Sequence, residues 1–111
     1  MKRIKIAPYG CVLLITTSFT EWNKAYKKLY GSPYSEGCHG LTYDNRDGHF
    51  LVGIFKGGLD TLVHELAHVC LDIAKRVQMY DIVQDQEQFC YLIGHMTGQV
   101  LAVLPEIKDQ T

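Results

Sequence analysis

Apolar and polar positions alternate along the chain in blocks that predict a short series of elements. "CVLLITT" (11–17) is a continuous, β-branched apolar run, the pattern of a buried strand. In "SFTEWNKAYKKLYG" (18–31) Trp22, Ala25, Tyr26 and Leu29 fall at helical spacing. Ser18 or Thr20 can cap the start of that helix and Gly31 can end it. "GSPYSEGCHG" (31–40) has the composition of a loop. "LTYDNRDGHFLVGIF" (41–55) sets two extended runs either side of "DNRDG", a hairpin in which Gly48 supplies a positive φ.

"KGG" (56–58) breaks the chain, and the period then becomes helical. Asp60 or Thr61 can cap a helix running to about Met79, with Leu62, Leu66, Val69, Ile73 and Val77 as its apolar stripe. "YDIVQD" (80–85) connects it to a second long helix over 86–104, which Pro105 stops. Strand, helix, hairpin, helix, helix is the order of an α+β domain, and 111 residues suit one such domain over 1–111.

A domain of this size has a small core, to which a bound metal can add stability. The formal net charge of −1 gives no global basic field, so a nucleic-acid partner is not expected. "MKRIKI" is basic, but the apolar run "CVLLI" beyond it is too short to span a bilayer and lacks a small-residue cleavage site. A membrane partner is therefore not expected, nor a secreted protein. Cys11, Cys38, Cys70 and Cys90 form no C-x-x-C pair and read as reduced thiols in a cytoplasm. Nothing in the pattern sets an oligomeric state.

The segment "LDTLVHELAHVCLDIAKRV" (59–77) carries the chemistry. His64 and His68 are four residues apart on a helix, so both imidazoles can reach one ion. Glu65 lies about 100° further round, where its carboxylate stands beside an activated water rather than on the metal. Both histidines flank Leu66 and Ala67 in a largely apolar run, where unpaired imidazoles would be costly to bury. A surface helix with two His and a Glu is the plainer reading of the same letters, and the apolar setting favours the metal.

A catalytic zinc needs a third protein ligand and one open position. The metzincin pattern is excluded, because position 74 is Ala and position 71 is Leu. Glu87 is the leading third ligand: it opens the next helix, and two antiparallel helices would bring it back over the histidines. A Glu in a first helical turn also stabilises the helix dipole, so the position has a second use. Tyr91, one turn on, either donates a hydrogen bond to an oxyanion or belongs to the core. His95 lies about 12 Å beyond Glu87 along the axis, too far to share its ion. Asp60 and Asp72, four residues before His64 and after His68, either orient a ligand imidazole or are solvated helix charges.

"GHFLVGIFKGGLDTLVHELAHVCLDI" followed by "QEQFCYLIGHM" resembles the small zincin metallopeptidases of gluzincin type, above all the short ones encoded by bacteriophages and prophages. The likeness covers about residues 40–100. It implies Zn²⁺ on His64, His68 and Glu87, with Glu65 as general base, in a minimal zincin-like domain. That domain has a zinc helix under a small sheet whose edge strand, about residues 50–55, pairs with an extended peptide or protein substrate. It also implies the host cytoplasm as location. Thermolysin-like members carry an Asp four residues after the ligand Glu; here Tyr91 stands there. "EGC" (36–38) with "NRDG" is similar to peptide deformylase, in which Cys38 would be the third ligand of an amidase. A third function, without catalysis, is a zinc-stabilised protein that binds a host factor.

Overall fold

A computed structural model of the chain describes residues 1–77 and 84–111. The elements are β1 (Lys2–Ile6), β2 (Cys11–Thr16), α1 (Phe19–Tyr30), β3 (Gly40–Asp44), β4 (His49–Ile54), α2 (Leu59–Arg76), α3 (Gln86–Val103) and a closing 3-10 turn, Pro105–Asp109. The four strands form one mixed sheet in the order β1-β2-β4-β3. β2 and β4 run parallel at its centre, with Leu13 opposite Phe50 and Ile15 opposite Val52. β1 and β3 flank them antiparallel.

Side chains alternate across the pleat, and the two faces bury different helices. Leu13, Ile15, Phe50, Val52 and Ile54 pack with Leu62, Leu66, Val69 and Ile73 of α2 and with Leu92, Met96 and Val100 of α3 in one core. The opposite face of β2 and β4 receives α1. There Gly53 has no Cβ, and the rings of Trp22 and Phe55 fill the space one would take.

The α1 signals act as read: Ser18 Oγ accepts from Glu21 N at 3.2 Å, and Gly31 closes the helix at φ 79°. The hairpin forms as β3 and β4, and Gly48 has φ 91°. Four expectations change. β1 was not foreseen, because its basic residues alternate with only Ile4 and Ile6 facing inward. Leu29 and Val77 belong to no buried stripe and are exposed. Gly58, not Asp60 or Thr61, is the N-cap of α2; no side chain caps that end. Instead Gln110 bridges it, accepting from Gly58 N at 3.2 Å and donating to Ile54 O at 2.7 Å. Finally, residues 50–54 are not an edge strand. β4 is paired on both sides, and the edges are β1 and β3. The expected helix end at Met79 and most of the connection 80–85 lie outside the described residues.

Candidate active site

α2 lies across β3 because both surfaces are small where they meet. A Cβ on Gly40 would stand 2.6 Å from Thr61 Cγ2 and 2.9 Å from Glu65 Cγ, so only glycine lets the edge strand come this close. One residue pair further along, Thr42 faces the helix and meets Glu65. Its Oγ1 lies 2.8 Å from Glu65 Oε1 and 3.3 Å from the Glu65 carbonyl oxygen. Glu65 is thus buried, at 7% exposure, although its side chain is polar. The hydroxyl compensates part of the solvation that burial removes.

The histidines take the opposite environment. His64 and His68 are exposed, so the cost of burying unpaired imidazoles does not arise; the buried polar group is the Glu between them. Their ring centroids are 5.1 Å apart, close enough for one nitrogen of each to reach a single ion at about 2.0–2.1 Å. Glu65 turns its second oxygen to the same side, with Oε2 3.9 Å from His64 Nε2. Gly40, Leu41, Thr42, His64, Glu65 and His68 line an open recess between β3 and α2, with Asp72 at its far end. A neighbouring recess runs the other way past Asp60 to His39.

Asp72, on the same helical stripe as the histidines, has a raised carboxyl pKa. Burial is the main cause and the charge of Asp44 the second; His68 and Lys75 oppose them. The α3 candidates are not brought to the pair. Leu92, Met96 and Val100 mark the buried side of α3, and Glu87 is exposed about half a turn round from Met96. Tyr91 is 73% exposed and stacks on the ring of His95 at 5.7 Å. Tyr91 is therefore no core residue. Cys38 is a free, half-buried thiol. Among the described residues, no three of His, Cys, Asp and Glu come together as a group able to hold a metal ion. His64 and His68 thus stand as two imidazoles with the Glu65 carboxyl group beside them, one protein ligand short of a catalytic zinc site.

Sequence reading missed Gly40 and Thr42. Both lie in a stretch whose composition reads as loop and hairpin. Their alternation toward one face becomes meaningful only once β3 is known to be the edge under α2. Among the described residues no helix is long and apolar enough to cross a membrane. No protein-family model, curated protein or solved structure matches the chain.

Proposed function

We propose that the chain is a metal-dependent peptide hydrolase of zincin type, acting on an extended peptide laid along β3. The observation that carries this reading is the division of labour on one helical turn. Two exposed imidazoles face solvent 5.1 Å apart, while the Glu between them is buried and held by an edge-strand hydroxyl. An ordinary solvated helix has no reason to bury its Glu and expose its His.

His64 and His68 would hold the ion, and Glu87 is proposed as third ligand from its place in the sequence alone. Bound zinc would supply Lewis acidity, lowering the pKa of a water and polarising the scissile carbonyl. β3 offers its outer backbone groups to an extended chain, fixing the scissile peptide over α2. Glu65 Oε2, free of the Thr42 hydrogen bond, accepts the proton of the attacking water. It then passes that proton to the departing amine, so one peptide bond breaks and one water is consumed. Thr42 keeps the other oxygen, Oε1, turned toward the sheet.

A second reading is favoured by the absence of a third ligand beside the pair among the described residues: the groove binds an extended segment of another protein without cleaving it. Incubating the zinc-loaded full chain with a random decapeptide library, followed by mass spectrometry, separates the two. New termini that disappear with a chelator and return with zinc support the hydrolase. Peptide retention without new termini supports the binding protein and overturns the hydrolase.

A further inference from the structure

The groove continues past the histidines into a recess that the proposed chemistry does not use. Beyond Thr42, β3 passes Tyr43 and Asp44 and turns at Arg46, which holds a φ of 62°. Beyond His68, α2 passes Asp72 to Lys75 and Arg76. These six residues enclose about 580 Å³, and Asp72 is shared with the recess at the histidines, so the two are one groove.

Its charges are arranged, not merely collected. Arg76 Nη1 donates to the carbonyl oxygen of Arg46 at 3.3 Å, which ties the end of α2 to the turn after β3. Asp44 Oδ1 accepts from the backbone N–H of Arg46 at 2.8 Å, so one of its oxygens already has a donor. Among the described residues none of Arg46, Lys75 and Arg76 makes an ion pair within 4.0 Å. Three cations thus face the recess against the two carboxylates of Asp44 and Asp72. Such a surplus favours an anion, and two guanidiniums favour a carboxylate, which they grip in a planar fork.

The distance to the reacting centre selects the ligand. Lys75 and Arg76 lie ten and eleven residues after Glu65 on one helix, about 15 Å along its axis. An extended chain covers that length in about four or five residues, fewer once the reach of the Lys and Arg side chains is counted. A strand added to β3 in the more stable antiparallel sense runs its N-terminal part toward Asp44. We propose that Arg46, Lys75 and Arg76 form an anion subsite that takes an Asp or Glu side chain about three to five residues N-terminal to the peptide bond over Glu65. The proposal rests on the hydrolase reading for which bond lies there. It does not rest on cleavage itself.

The test uses fluorescein-labelled decapeptides of one neutral Ala/Thr host sequence, with a single Glu walked through every position. Binding to the full-length Glu65→Gln chain is read by fluorescence anisotropy, and cleavage by wild type is read in parallel. A Glu in the N-terminal flank should tighten binding about threefold to tenfold over Ala, and added salt should erode the gain. A Lys75→Glu/Arg76→Glu chain should reverse the preference and favour a Lys at the same position. Arg46→Gly, which keeps the left-handed turn and deletes the charge, should weaken the Glu preference. Flat binding across positions, a preference confined to the C-terminal flank, no binding at all, or a preference that the charge reversal leaves intact overturns the subsite. Acid-selective binding without chelator-sensitive cleavage upholds the subsite and overturns the hydrolase. Chelator-sensitive cleavage without acid preference does the reverse.

Discussion

Thr42 Oγ1 lies 2.8 Å from Oε1 of Glu65, and that contact joins the free edge of the sheet to the face of the helix that carries both histidines. It places one oxygen of a buried carboxylate and leaves the other to the solvent side. Thr42→Val keeps the shape and removes the hydroxyl. The carboxylate then keeps its burial without this donor, at a cost of about 1–3 kcal/mol. The urea midpoint should fall with an unchanged m-value. A midpoint within error of wild type would show that the contact does not hold Glu65.

Glu65→Gln should behave differently. The amide oxygen still accepts from Thr42, so folding stability should stay close to wild type. The amide does not accept a proton from water, so hydrolysis should drop by about 10² to 10⁴, the usual weight of a general base. Loss of fold in Glu65→Gln, or unchanged turnover, would contradict the role given to this side chain.

Much of this arrangement was legible in the letters, and what was not has physical causes. Ser18 and Gly31 bound α1 because both signals are local: one side-chain oxygen, one residue at positive φ. The hairpin followed from Gly48 for the same reason. The edge of the sheet was misplaced onto 50–55, because edge and centre are decided by a distant partner. Only when β2 is known to lie parallel to β4 does Phe50–Ile54 move inside. The spacing of His64 and His68 was readable, but not which of the three motif residues is buried. That depends on Gly40 and Thr42, more than twenty residues away in sequence. Glu87 rests on spacing alone, since most of the segment joining α2 to α3 lies outside the described residues.

Gly40→Ala tests the close approach itself. The new methyl would meet Thr61, Glu65 and the carbonyl of Gly53, all inside 3.0 Å. Part of that contact is backbone, so the strand must move rather than the side chains. A loss of about 1–3 kcal/mol in unfolding free energy is expected, typical of overpacking. Peptide binding along β3 should weaken with it. Wild-type stability would mean that β3 and α2 do not touch as described.

The four thiols should separate by burial. Cys70 is inaccessible and its pKa is pushed up to about 12 by that burial; Cys11 is buried and also raised, again chiefly by burial. Cys90 is exposed. Iodoacetamide at pH 8 should modify Cys90 first, Cys38 more slowly, and Cys11 and Cys70 only on unfolding, because the thiolate is the reactive form. The linkage has a definite sign. Burial raises the folded-state pKa, so the stabilising preference for the neutral thiol is complete below the ordinary value of 9.0 and is lost as pH rises toward about 12. Wild type should therefore lose more stability between pH 8 and pH 10.5, the two conditions of a urea titration, than Cys70→Ala does. Equal losses would mean that Cys70 ionises as freely folded as unfolded.

Because the two histidines are exposed, the metal can be tested without disturbing the core. His64→Ala and His68→Ala remove no buried contact, so each should fold with wild-type stability in the presence of a chelator. Zinc should raise the thermal midpoint of wild type in proportion to the logarithm of its concentration, and should raise that of neither variant. Elemental analysis after dialysis should find one zinc per wild-type chain and none in the variants. Glu87→Ala should weaken zinc binding, while Asp72→Asn, on the same stripe of α2, should leave it in place. If Asp72→Asn weakens zinc and Glu87→Ala does not, the third ligand comes from α2 itself. If either His64→Ala or His68→Ala keeps the full zinc shift of wild type, the paired imidazoles do not hold the metal and the hydrolase reading falls with them.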